Sequence, residues 1–284
     1  MGEVAEMAYV FDSGSHKDTR KHQLDDENVV AEEVRISENT DFWFEETIDD
    51  DLKWSFLLNR ILHRGTSEYQ DIALLDTKRF GKVLVLDGKM QSAEADEFIY
   101  HECLIHPALL SHPKPQSIFI MGGGEGSTAR EALKHKTIQK IVMCDIDGEV
   151  VDFCRQHLTS NTEAFCNNKL EIVINDAKEE LINRDEKFDI IVGDLADPVV
   201  GGPCYQLYTK CFYQRIMKPR LRENGIFVTQ VMKSLLYGVM KIFVFVEGLS
   251  PFRPDLLVLL HTKKCFRLFI TRSNKFSDVR LYYR

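Results

Sequence analysis

Ser117-Ile118-Phe119-Ile120-Met121 runs straight into Gly122-Gly123-Gly124-Glu125-Gly126-Ser127-Thr128. An unbroken apolar run of this length suits a strand buried on both faces, and predicts a parallel strand of an α/β sheet. The glycines then turn the chain into a helix N-terminus, where backbone approaches a ligand closely and free N–H groups point outward. A tight turn of purely structural purpose would use the same residues.

Outward from this turn, strand and helix patterns alternate. Strands are expected at Lys140–Cys144, Leu170–Ile174, Phe188–Val192 and Gly225–Thr229, with helices at Ser127–His135, Gly148–His157, Lys178–Ile182 and Gln206–Met217. Buried strands separated by helices predict a Rossmann-like, doubly wound, mainly parallel sheet of the S-adenosylmethionine-dependent methyltransferase type. The dinucleotide fingerprint wants its third glycine where this chain has Ser127, whereas Gly122-x-Gly124-x-Gly126 is the spacing of S-adenosylmethionine folds.

Each strand ends in an acid. Asp145, about 20 residues beyond the glycines, is placed to accept both ribose hydroxyls of a nucleoside, while Asp147 caps the helix that follows. Asp176-Ala177 ends the third strand, where an adenine contact and a helix cap are equally good readings. The fourth strand leads into Asp194-Leu195-Ala196-Asp197-Pro198. With Glu125 and Asp145 these aspartates make an anionic cleft suited to a cationic substrate or a sulfonium. An amine must lose a proton before it attacks carbon, and Asp194 is the candidate general base.

Upstream, Ile72-Ala73-Leu74-Leu75 and Lys82-Val83-Leu84-Val85-Leu86 with the turn Asp87-Gly88 predict a small antiparallel sheet ahead of the main domain. Tyr100 and His101 follow at a helix start and stay unassigned on their residues alone. The expected organisation is a polar tail over 1–40, the β-sheet domain over 41–105, the Rossmann-like domain over 106–230, and a tail over 231–284.

The 284 residues carry 36 Lys and Arg against 44 Asp and Glu, a net charge of −8. That balance argues against nucleic-acid phosphates as partners and favours cationic ones. Seven cysteines form no CxxC pair and read as reduced thiols of a cytoplasmic protein. No secretory signal and no membrane span is expected. No His/Cys set reads as a metal site.

The pieces Tyr69-Gln70-Asp71-Ile72, Leu86-Asp87-Gly88 with Gln91, Asp96 to Glu102, Gly122 to Gly126, Asp145-Ile146-Asp147, and Asp194 to Pro198 with Gly202-Pro203 stand in an order that resembles the spermidine synthase family. The resemblance spans about residues 41–230. Gly126-Ser127-Thr128-Ala129-Arg130-Glu131, Asp176-Ala177 and Gly202-Pro203-Cys204-Tyr205 look most like its plant thermospermine-forming branch.

The resemblance implies transfer of an aminopropyl group from decarboxylated S-adenosylmethionine, as co-substrate, to a polyamine, releasing 5'-methylthioadenosine. It favours spermidine going to thermospermine, with spermidine or spermine synthesis, or an inert nucleoside-binding relative, as alternatives. It makes Asp194 the proton acceptor. It gives the co-substrate Gln70, Gly122, Gly124, Glu125 and Gly126, with Asp145 and Ile146 at the ribose and Asp176 with Ala177 at the adenine. The polyamine falls to Gln91, Tyr100, His101, Glu125, Asp197 and Pro203. It also implies a homo-oligomer, a dimer or tetramer, with no metal and no permanently bound cofactor.

The resemblance ends at Gln230. Beyond it, Lys and Arg mix with Leu and Phe without a clear period, which predicts a sheet incomplete at its C-terminal end. A methyltransferase is the rival enzyme, since it would use the same turn and ribose acid. Its intact co-substrate carries a carboxylate that Glu125 and Asp194 would repel.

Overall fold

The computed structural model describes residues 42–196, 198, 202–234, 239–246, 255–262, 265–272 and 275–279. Its contacts divide the chain into two compact units, one with residues 42–66 and 70–95, the other with Ser67–Tyr69 and the chain from Asp96 onward.

The first unit is a five-stranded antiparallel sheet in sequence order: β1 (Phe42–Asp49), β2 (Leu52–Thr66), β3 (Asp71–Thr77), β4 (Gly81–Leu86) and β5 (Lys89–Ala93). Alternation sends Ala73, Leu75, Val83 and Val85 to a shared core with Phe44, Phe56 and Ala93. Asp87 (φ 49°) and Gly88 (φ 69°) make the tight β4–β5 turn, the left-handed pair that Asp-Gly favours. Asp87 Oδ1 accepts from the Asp71 amide at 2.9 Å.

The second unit begins with α1 (Glu97–Ser111), β6 (Ser117–Gly122), α2 (Ser127–Leu133), β7 (Lys140–Asp145), α3 (Gly148–His157), α4 (Thr162–Phe165), β8 (Leu170–Ile174), α5 (Ala177–Asn183) and β9 (Phe188–Asp194). A short helical region, with α6 (Lys210–Phe212) at its centre, leads to β10 (Leu221–Ser234). Then follow β11 (Val239–Val246), β12 (Asp255–Thr262), β13 (Cys265–Arg272) and β14 (Lys275–Val279). The sheet order is β14-β13-β12-β11-β10-β9-β6-β7-β8. β8, β7, β6, β9 and β10 are parallel, and β11 to β14 continue as an antiparallel meander.

The alternation in β6 explains the layering. Ile118 and Ile120 share one core with Leu104, Ile105 and Ala108 of α1 and Ala129 and Ala132 of α2. Phe119 and Met121 point the other way, to Leu181, Phe188, Leu207, Phe212 and Met217. Every apolar residue of that strand is fully buried, as a parallel strand covered by helices requires.

The structure departs from the sequence expectations in three places. Where the pattern after Gln230 predicts an incomplete sheet, β10 runs on to Ser234 and β11 to β14 extend the sheet by four antiparallel strands. Gln206–Met217 is not one helix but a 3₁₀ turn at Tyr205–Tyr208, the short α6 and a π turn at Tyr213–Met217. The break falls at Thr209, whose backbone is extended and whose hydroxyl accepts from the Phe212 amide at 3.2 Å, so a side-chain cap replaces continued helix. α1 also begins at Glu97, four residues before His101. An acid in a first turn suits the positive end of a helix.

Asp147 is buried and accepts from the amides of Glu149 (3.1 Å) and Val150 (3.2 Å) and from Ser67 Oγ (2.6 Å). It caps α3 as expected. Asp147→Ala removes the cap together with the contact to the Ser67 hydroxyl, and is expected to cost about 2 kcal/mol in urea unfolding. An unchanged midpoint would mean that water replaces all three bonds.

Candidate active site

The parallel register sets Gly122 beside Asp194, Met121 beside Cys144, and Asp145 beside Ile174. The residues that leave β6, β7, β8 and β9 therefore emerge level with one another at the carboxyl edge of the sheet. Connections diverge on the two sides of β6, the position at which open α/β sheets bind ligands.

Asp194 closes β9. Its Oδ1 accepts from the Tyr100 hydroxyl at 2.9 Å and its Oδ2 from the Thr128 hydroxyl at 2.7 Å. The Gly123 amide donates to its backbone carbonyl at 3.0 Å, tying the glycine turn to the strand end. Burial raises the Tyr100 phenol well above its ordinary range, and the neighbouring Asp194 charge pushes the same way. Tyr100 is thus a protonated donor that orients the carboxylate without neutralising it.

Asp145 sits across the turn, its Oδ2 accepting from the Gly124 amide at 2.9 Å and its Oδ1 from the Asp147 amide at 3.0 Å. Burial raises its pKa. The two amide bonds work against that rise, and the charges of Asp147 and Asp194 add to it. Each carboxylate oxygen keeps a lone pair for a further donor. A Cβ at Gly124 would lie 2.7 Å from Asp145 Oδ2, so this close approach needs glycine.

His101 is buried between two acids. Its Nδ1 meets Glu97 Oε2 at 2.8 Å and its Nε2 stands 3.1 Å from Glu125 Oε1. The second contact is an ion pair without hydrogen-bond geometry, and Glu125 Oε1 is the one buried side-chain oxygen among the described residues with no hydrogen-bond partner. Burial disfavours the His101 charge, but Glu125, the Glu97 hydrogen bond and Asp194 outweigh it and raise the ring to about 9. Burial likewise opposes the Glu97 charge, yet bonds from His101 and Arg130 hold its carboxyl below the usual range.

The charge on His101 has a consequence for stability. Its folded value of about 9 lies above the ordinary 6.5, so the stabilisation is whole below pH 6.5 and is lost as pH rises through about 9. The difference corresponds to about 3 kcal/mol. Urea unfolding from pH 6 to 10 should show wild type losing that much more than His101→Gln, and parallel curves would show that the ring is neutral.

The structure brings Tyr100, His101, Glu125, Asp145, Asp194 and the turn Gly122, Gly124, Gly126 together in the second unit. Ile146 is half-buried beside Asp145. Asp176 caps α5 through the Lys178 amide (2.7 Å), and its other oxygen accepts from Gln206 Nε2 at 3.1 Å. Ala177 is buried at the first position of that helix. Pro203 is exposed in the turn before Tyr205. In the first unit, Gln70 is half-buried just before β3, and Gln91 is exposed in β5 with its amide donating to the Lys89 carbonyl at 3.4 Å. Asp197 and the 1–40 tail lie outside the described residues.

Several members of the site escaped the sequence reading. Thr128 stood in the quoted turn without a role. The four-residue spacing of Glu97 and His101 was a usable signal. Arg130 binds Glu97 at 2.8 Å and Asn161 at 2.7 Å, and Asn161 donates to the Glu125 carbonyl at 2.7 Å and to Ser127 Oγ at 2.9 Å. Asn161, at the end of a 3₁₀ turn more than thirty residues on, gives no local hint of this.

Residues 97–250 match the family described as Spermine/spermidine synthase domain, and residues 42–94 match Spermidine synthase tetramerisation domain. A thermospermine synthase of Arabidopsis thaliana is 76% identical over 201 residues, covering 71% of this chain and 59% of that protein. A polyamine aminopropyltransferase of Aeropyrum pernix is 43% identical over 190 residues, covering 66% of this chain and 60% of that one. The chain thus spans about three fifths of the length of these two curated relatives. A crystal structure of spermidine synthase in complex with the transition state analogue AdoDATO superposes with a TM-score of 0.65 at 33% identity, covering 68% of this chain and 66% of that one. Spermidine synthase from Thermotoga maritima gives a TM-score of 0.65 at 27% identity, covering 74% of this chain and 81% of that one.

Proposed function

The chain belongs to the spermine/spermidine synthase family, and from that premise we propose that it transfers the aminopropyl group of decarboxylated S-adenosylmethionine to spermidine, giving thermospermine and 5'-methylthioadenosine. The observation that carries this reading is the Asp194 carboxylate, held by the Tyr100 and Thr128 hydroxyls beside a glycine turn and close in the fold to a buried carboxylate oxygen without a hydrogen-bond donor.

Asp145, with Ile146, accepts the ribose hydroxyls, and Asp176 with Ala177 meets the adenine. Gln70 and the turn Gly122, Gly124 and Gly126 hold the rest of the nucleoside. Glu125 takes the primary ammonium of the aminopropyl group, which supplies the donor that its Oε1 lacks. Gln91, Tyr100, His101, Asp197 and Pro203 line the way for the polyamine.

The acceptor nitrogen gives its proton to Asp194 as its lone pair forms a bond to the carbon next to the sulfonium. The carbon–sulfur bond breaks, and the electron pair stays on a neutral thioether. Holding both partners in line converts an encounter between two cations into a positioned step, and positioning of this kind supplies much of a rate.

The match of residues 42–94 to a tetramerisation domain supports a homo-oligomer joined through the N-terminal sheet. Six described cysteines are free thiols, in keeping with a cytoplasmic protein. No helix among the described residues is long and apolar enough to cross a membrane.

The test is an assay of the purified full chain with decarboxylated S-adenosylmethionine and either putrescine or spermidine, the products resolved chromatographically. A thermospermine peak from spermidine is expected, with no product from intact S-adenosylmethionine. Absence of product from either amine, in folded protein that binds 5'-methylthioadenosine, would overturn the reading in favour of an inert relative.

A further inference from the structure

Glu102 and His106 stand one helical turn apart on α1, Glu131 lies on α2, and His135 follows just beyond the end of α2. Side chains at this spacing share a helix face, and α1 packs against α2. The ligand atoms of Glu102, His106 and Glu131 all lie within 4.8 Å of one another. His106 Nε2 is 3.1 Å from Glu131 Oε2, and its Nδ1 is 2.9 Å from His135 Nε2. Glu131 itself is fully buried.

The His106 tautomer decides which of its two contacts donates. When His106 Nδ1–H donates to His135, its Nε2 lone pair faces a carboxylate oxygen, and two acceptors at this distance need a cation. A proton satisfies the pair. A metal ion satisfies it too, and recruits Glu102 as well.

We infer that Glu102, His106 and Glu131 form a site for a divalent ion of the zinc class, bound through His106 Nε2 and one oxygen of each carboxylate. His135 is the outer partner that fixes the His106 ring. Imidazole and carboxylate together suit such an ion, and three protein ligands leave a fourth position for water. Bonds of about 2.0–2.2 Å require the ligand atoms to close by roughly 1–1.5 Å. The glutamates and His106 reach this by side-chain rotation. Arg130 meets Glu131 on Oε1, whereas Lys134 meets Oε2 at 2.6 Å from a side chain that is 54% exposed. The ion takes the place of the Lys134 ammonium, which swings into solvent. An ion here cross-links α1, which carries Tyr100 and His101, to α2, which carries Thr128.

The test uses the full chain stripped with chelator, titrated with Zn²⁺ by calorimetry and with Co²⁺ by absorption. One ion per chain is expected, with a visible tetrahedral cobalt band, no near-ultraviolet thiolate band, and a rise in Tm on zinc. His106→Gln should abolish uptake while leaving far-UV circular dichroism unchanged, and His135→Gln should weaken it about 10- to 100-fold. Glu102→Gln serves as the carboxylate variant, because Glu131→Gln would disturb a buried ion pair. No uptake by wild type would overturn the inference. So would uptake that survives both His106→Gln and Glu102→Gln, a thiolate band, or loss only in His101→Gln, which would place the ion at Glu97, His101 and Glu125.

Discussion

Asp194→Asn is expected to lower aminopropyl transfer about 10²- to 10⁴-fold while leaving the affinity for 5'-methylthioadenosine within a few-fold of wild type. The loss corresponds to roughly 3–5 kcal/mol of barrier. The substitution is close to isosteric. The asparagine carbonyl can accept from one of Tyr100 and Thr128, and its amide can donate to the hydroxyl oxygen of the other, so the 2.9 and 2.7 Å contacts survive with changed polarity. What disappears is the basic oxygen that takes the proton from the attacking amine. Single-turnover kinetics with a separate nucleoside titration distinguishes the two effects. Near-normal turnover would remove Asp194 from the base role, and loss of nucleoside binding would show that the residue builds the pocket instead.

Gly122→Ala should be the most damaging small substitution in the chain. Gly122 has φ +75°, and a Cβ there would lie 2.3 Å from the Asp194 backbone carbonyl oxygen. That oxygen accepts the Gly123 amide and belongs to a strand end, so it cannot turn aside as a flexible side chain would. Left-handed strain costs roughly 1–2 kcal/mol and the forced displacement about as much again, giving an expected loss of about 3 kcal/mol in urea unfolding. Displacing Asp194 should also reduce turnover by more than tenfold in the folded fraction. Gly148→Ala is the matched control. Its Cβ would meet only the Ile174 side chain, at 3.3 Å, at a helical position where alanine is favoured, and a change within about 1 kcal/mol is expected. Equal effects of the two variants would refute the argument from backbone geometry.

Local pattern made the sheet legible. The bounds of β8 and α3 coincide with the sequence expectation, and β6, β7 and β9 run only one or two residues further; in these three, two-sided burial imprints a near-continuous apolar run. The Asp87-Gly88 turn was equally plain. The broken region around Thr209 was not, since one hydroxyl decides there between a cap and another turn of helix.

In the site, acids at strand ends could be found from order alone. Asp176 could not be resolved, because cap and ligand contact use the same oxygens. The support around Glu125 was invisible for another reason. Asn161 reaches it from a sequence distance at which no periodicity acts, held in turn by Arg130, and only the packed fold brings the two together.

The two cations set among the acids of the site bear on its choice of ligand. Among the described residues, the site acids Glu97, Glu125, Asp145 and Asp194 stand against the cations His101 and Arg130, which pair with Glu97 and Glu125, and Arg130 also serves Glu131. Those four acids and two cations alone leave formal electroneutrality short by two positive charges. A sulfonium and a primary ammonium on one small molecule bring that number, whereas a carboxylate on the same molecule would cancel half of it. On the proposed reading the site is an unfinished salt, and a donor that has already lost its carboxyl group would let the crystal-like balance close.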